Sequence, residues 1–151
     1  MRKFNTRIDD KHFQEIHHAL GCPWPDEIMG ETYRNYFSVG ECSEISARMR
    51  ASPHWTDGRE TFGSMTFHVT DEGRAALRDY ILNNLHVPAR YAVTYKGHGD
   101  YPPSLLPAKS HSAARYAAYL SSECEWPLME FVAEIASVKI HSREINPHLS
   151  T

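Results

Sequence analysis

At 151 residues the chain can hold one domain of ordinary size or two very small ones, and its 41% hydrophobic and 23% charged residues suit a folded core rather than wholesale disorder. The formal charge is −3 with a pI near 6.3, which weighs against generic duplex binding; ten protons added to the ten histidines would turn −3 into +7, so that argument weakens in acid. No apolar run is long enough for a membrane span, and the opening MRKFNTRIDD lacks the apolar stretch of a secretory signal.

Residues 1 to 8 read as a lead-in with Phe4 and Ile8 tucked down. Asp9 or Asp10 caps a first helix with Phe13, Ile16 and Leu20 on one face, and Gly21 suits the position just past its end. Pro23 and Pro25 make CPWPDEIMGE a turn-rich connection. Tyr33 to Val39 is aromatic and β-prone and reads as a short strand or an extended segment packed down on the core, broken by Gly40. Cys42, Ile45 and Met49 mark one side of a second short helix ending near Arg50. Ala51 to Gly63 reads as a loop whose Asp57-Gly58 pair forms a hairpin tip flanked by Trp55 and Phe62.

The strongest local pattern follows. Met65, Phe67 and Val69 alternate with polar residues as in a half-buried strand. Thr70 is a good cap, Asp71 and Glu72 complement the positive end of a helix, and Leu77, Tyr80, Ile81 and Leu85 recur at helical spacing. Pro88 closes the unit.

Residues 88–142 read as ββααβ. Tyr91, Val93 and Tyr95 alternate in a strand, GHGDYPP is a turn, and Ser104 to Ala108 returns as a second strand that Pro107 confines to an edge. Ser110 caps a helix with Ala113, Ala114, Ala117 and Ala118, to which Tyr116, Tyr119 and Leu120 add bulk. Glu123 and Glu125 flank Cys124 in a solvated turn. Pro127 starts a further helix, with Leu128, Phe131, Val132 and Ile135 on one face, and Val138 and Ile140 form a last strand. Residues 143–151 are a polar tail. The predicted fold class is therefore α+β, with residues 1–87 packed on the 88–142 unit.

In residues 10 to 86 the order helix, strand, helix, hairpin, helix, with Thr70-x-x-Gly73 after the hairpin, resembles a winged helix. The departure is a single helix before the wing where two closely joined ones would stand. His18-Ala19-Leu20-Gly21, Tyr33-Arg34-Asn35-Tyr36-Phe37, Phe67-His68-Val69-Thr70 with Gly73, and the later AKSHSAARYAAYL resemble small proteins encoded by bacteriophages and prophages. That resemblance implies a phage or mobile-element setting and the host cytoplasm, where accessory proteins include regulators, virion components and inhibitors of host defence such as anti-CRISPR proteins. It carries no catalytic residue across.

The chemistry-bearing residues favour plain roles. His17, His18 and Cys22 lie within six residues, but zinc needs about four ligands and no second closely spaced pair exists, so no metal and no cofactor is expected. Cys22, Cys42 and Cys124 are odd in number and far apart, which fits reduced thiols. His98 and Asp100 in GHGDYPP would serve a small metal-dependent hydrolase or nuclease, yet these are also turn-forming residues. The carboxylate pairs Asp9-Asp10, Asp26-Glu27 and Asp71-Glu72 each fit a helix start. Arg48, Arg50 and Arg59 would face phosphates on a winged helix, although Glu41, Glu44, Asp57 and Glu60 interleave with them. Aromatics make up 11% of the chain, more than simple alternation buries, and exposed tyrosine and tryptophan favour interfaces. The sequence therefore predicts a non-enzymatic accessory protein that binds a protein partner through Tyr33, Tyr36, Trp55 and Tyr101. A DNA-binding regulator is the first alternative. An unpaired edge at residues 104 to 108 leaves room for a homodimer.

Overall fold

The computed structural model describes residues 7–149; most of the expected lead-in, including Phe4, and the end of the tail lie outside them. The described residues form a mixed α+β structure with five α-helices and two three-stranded antiparallel sheets. No helix among them is long and apolar enough to cross a membrane. The chain divides into two compact units, one ending at Leu85 and the other beginning at His86.

In the first unit, α1 (Lys11–Ala19) begins where the Asp10 carboxylate accepts the Phe13 N–H at 3.2 Å and ends before Gly21, whose φ of +81° reverses the chain. β1 (Phe37–Gly40) is shorter than the expected strand, because Asn35 and Tyr36 are held by other bonds described below. α2 (Glu44–Ala51) starts at Ser43, whose hydroxyl accepts the Ser46 N–H at 3.1 Å. β2 (Arg59–Thr61) and β3 (Ser64–Phe67) form a hairpin, and β3 lies central in the order β1-β3-β2. α3 (Asp71–Asn84) starts at Thr70, with Oγ1 accepting the Gly73 N–H at 3.1 Å. Ile16, Leu20, Met49, Phe67 and Leu77 are fully buried in this unit. At about 25 cal/mol per Å² of apolar surface, each such side chain contributes roughly 1.5–3 kcal/mol over leaving it in water.

The hairpin tip differs from the expectation. It is Phe62-Gly63, with φ of +50° and +79°, joining Thr61 to its partner Ser64. Both central residues in the left-handed region match the two-residue turn that suits strand twist. Gly58 is needed for another reason: a Cβ there would lie 2.7 Å from the Phe67 ring and 2.8 Å from Met65 Cε. Asp57-Gly58 therefore leads the chain past the core and does not turn it. Asp26-Glu27 also does not open a helix; it lies in a run of turns, where Glu27 Oε2 accepts the Trp24 N–H at 3.2 Å.

In the second unit, β4 (Arg90–Tyr95) is central in the order β5-β4-β6, between β5 (Ser104–Pro107) and β6 (Ile135–Ser142). α4 (His111–Ser122) is capped by Ser110 and lays Ala114 and Ala118 against the sheet, beside Tyr91 and Val93. α5 (Leu128–Ala133) is only six residues long. The four-position apolar face expected on it is split: Phe131 is buried, while Ile135 starts β6 opposite Tyr95. The sheet register claims Ile135 before the helix can reach it. Beyond β6 the polar segment is tied down. Val87 and Ile145 exchange both backbone hydrogen bonds, at 3.1 and 2.9 Å, and Glu144 meets the buried His86 at 2.6 Å.

Candidate functional site

The segment from Gly21 to Tyr36 has almost no regular structure and is nevertheless held firmly. Arg74 of α3 donates to the carbonyls of Ile28 at 2.6 Å and Gly30 at 3.2 Å, and to Thr32 Oγ1 at 3.2 Å. Asn35 acts like a piece of strand: its amide oxygen accepts the Val69 N–H at 2.7 Å and its NH₂ donates to the Val69 carbonyl at 3.1 Å. The Tyr36 N–H donates to the Ala19 carbonyl. Gly21 permits close approach, since a Cβ there would meet Tyr33 Cδ1 at 3.0 Å.

On this frame stands a Tyr-Arg-Tyr group. The Arg34 guanidinium lies 4.2 Å over the Tyr36 ring and donates to the Tyr36 carbonyl. Tyr36 is about half exposed, and Tyr33 is 93% exposed. The other two expected anchors differ. Tyr101 is exposed in the 97–103 turn of the second unit, its ring 5.6 Å from His98. Trp55 is only 4% exposed, paired with Val69 and edge-on to Phe37 at 5.8 Å, so in this fold it is a core residue with no ring surface to offer a partner.

Phe62, expected to flank the hairpin tip, forms it. At the hairpin tip it is fully exposed, on backbone that side chains other than glycine seldom adopt. The sequence signal was there: Phe-Gly is followed by the strict alternation that begins at Met65.

The arginines do not act as a set. Arg48 forks onto Glu15, with N···O distances of 2.9 and 3.0 Å, and this neutralises a buried carboxylate on α1. The bond to Glu15 holds the Arg48 guanidinium above its ordinary range. Arg50 lies 3.4 Å from Met65 Sδ, and Arg59 is exposed on β2 opposite Thr66.

Histidines gather beside the Arg48–Glu15 pair. His12 Nε2 and His54 Nδ1 are 2.7 Å apart with stacked rings, so one nitrogen carries the proton that the other accepts. Burial, and then the neighbouring His54, push the His12 imidazole below its ordinary value. Burial does the same to His17, against its bond to the Pro23 carbonyl. His18 turns instead to the Phe37 ring, and Cys22 is exposed. His98 and Asp100 are exposed in an open turn. Among the described residues no group of three or more His, Cys, Asp or Glu side chains is placed to hold a metal ion.

No family model matches the chain, and neither a curated protein nor a solved structure matches it.

Proposed function

We propose that this protein is a non-enzymatic binding protein whose first unit presents aromatic side chains to a protein partner. The observation that carries this reading is that Tyr33, next to the Thr32 that Arg74 holds, and Phe62, at the hairpin tip, stand almost wholly in solvent. A large aromatic ring in water contributes nothing to the core, and at Phe62 the backbone is strained as well. Such rings become useful when a partner's pocket buries them, and with two side-chain torsions each they lose little entropy on docking. The partner in this reading is a protein of a host nucleic-acid-handling or defence complex, a setting carried over from the resemblance to phage-encoded proteins.

The test is affinity purification with the full chain from host cells. A partner captured by the parent protein is expected to be lost with Tyr33→Ala and with Phe62→Asn and to be retained with Lys11→Ala, an exposed change elsewhere. Capture unaffected by both aromatic changes would reject the reading.

A second reading, a winged-helix DNA binder, draws support from the order of elements and from the hairpin with exposed Arg59 and Phe62 at the sheet edge. Against it stands Arg48, whose guanidinium is engaged by Glu15. Phosphate-driven binding falls steeply with salt. No duplex affinity at low salt removes this alternative.

A further inference from the structure

The second unit carries an apolar strip that its own packing leaves open. On α4, Tyr116 and Leu120 lie one turn apart and both are more than half exposed. Tyr119 beside them donates its hydroxyl to the Trp126 carbonyl at 2.9 Å, and its ring lies 6.4 Å from that of Tyr116 and 5.5 Å from that of Phe131. That bond draws the turn after α4 back along the helix. Trp126, about half exposed, and Met129, 78% exposed, continue the strip onto α5.

Glutamates outnumber cations around the strip. Glu123, Glu125, Glu130 and Glu134 follow it through the turn and α5, while Arg115 stands on α4 one turn before Tyr119 and the Lys96 N–H donates to the Glu134 carbonyl. All four carboxylates are exposed, and none belongs to an ion pair among the described residues. The unit's own stability gains nothing from gathering them, because like charges repel.

We propose that the α4–α5 face docks a Lys/Arg-rich amphipathic helix of a protein partner. The partner's apolar side covers Tyr116, Leu120, Trp126 and Met129 while its cations meet the four glutamates. The proposal goes beyond the binding reading above: it concerns a surface of the second unit and names the chemistry of the segment that covers it. A second copy of this chain fits less well: a two-fold contact brings four carboxylates from each side and one Arg115 from each to meet them.

The experiment uses the full chain and a synthetic Lys/Leu amphipathic helical peptide at low salt, read by amide chemical shifts and tryptophan fluorescence. Saturable binding is expected, with shifts at residues 116–134 and a change in the Trp126 signal. A Glu123→Gln, Glu125→Gln, Glu130→Gln, Glu134→Gln variant is expected to bind at least about tenfold more weakly, about 1.4 kcal/mol, with a flatter salt dependence. Trp126→Ala is expected to weaken binding comparably, and its side chain is exposed enough to keep the fold. Equal binding of a scrambled peptide of the same composition would overturn the proposal. So would shifts confined to residues 32–36 and 59–63, or concentration-dependent self-association through residues 116–134. Retention of peptide binding by Tyr33→Ala and Phe62→Asn, alongside loss of the captured partner, keeps this site separate from the first unit's anchors. Peptide binding that survives the glutamate variant sinks this proposal and leaves the anchors untouched.

Discussion

Gly73 stands inside α3, where alanine would ordinarily be preferred by roughly 1 kcal/mol. A Cβ there would lie 2.5 Å from the His54 carbonyl oxygen and 2.8 Å from Val69 Cγ1. The obstacle is backbone, so it yields little, and overpacking of this kind costs about 1–3 kcal/mol. Gly73→Ala is therefore expected to lower the melting temperature despite its better helix propensity, measured by thermal unfolding. Trp55 gives a complementary case. Its indole Nε1 is buried with no hydrogen-bond partner among the described residues. Trp55→Phe gives up an N–H whose burial is already unfavourable and is expected to stay within about 1 kcal/mol of the parent. Trp55→Ala empties the site and should lose about 3–5 kcal/mol in urea unfolding. His12 and His17 contribute to the acid side of stability. Both lie below the ordinary imidazole value of 6.5 in the folded chain. Above that value both states are neutral and the contribution is complete. As pH falls through 6.5 the unfolded chain takes up protons first, and stability declines until the pH passes the folded values. Urea midpoints should therefore drop as pH falls from neutral through 6.5, and His17→Gln should reduce that slope.

At the scale of elements, the β2–β3 hairpin and the 21–36 segment are opposite cases. The hairpin accepts strain at its tip. A residue other than glycine in the left-handed region costs about 1–2 kcal/mol, less for asparagine. Phe62 makes no packing contribution to offset this, so Phe62→Asn is expected to raise stability by roughly 1 kcal/mol while weakening partner binding. The 21–36 segment avoids disorder because Arg74 and Asn35 supply the hydrogen bonds that a strand or helix would have supplied. Arg74→Met keeps the aliphatic stem and removes the donors. It is expected to cost about 1.5–3 kcal/mol and to speed amide exchange around residues 28–36. None of this is visible locally: Arg74 and Asn35 are separated from their partners by thirty residues or more, and single polar residues carry no periodic signal.

Across the whole molecule, net charge is the property that responds to conditions. The formal charge is −3 with neutral histidines, and the ten histidines move it upward as pH falls. Attraction to a basic partner should weaken in acid and at high salt, where surface charges are screened within about 10 Å at 0.1 M. Affinity for the partner measured at pH 7.5 and at pH 5.5 is expected to fall between the two. A rise would place the contact on a basic surface instead, in favour of the nucleic-acid reading.

Much of this protein is written in short-range patterns. Asp10, Thr70 and Ser110 cap helices because hydroxyl and carboxylate oxygens reach the open N–H groups two or three residues on. Alternation around Phe67 and Val93 marks the central strands, and the mixed α+β class follows from reading these elements in turn. Those features depend on neighbours within one turn or one hairpin, so the sequence by itself determines them. What only the tertiary structure decides depends on residues far apart in the chain. Glu15 takes Arg48 away from any ligand, the core takes Trp55 away from the surface, and β4 takes Ile135 away from α5. Tyr33 and Phe62 are left outside for the same reason: burial is set by which distant surfaces meet, and composition alone cannot say which aromatic ring will be left without one.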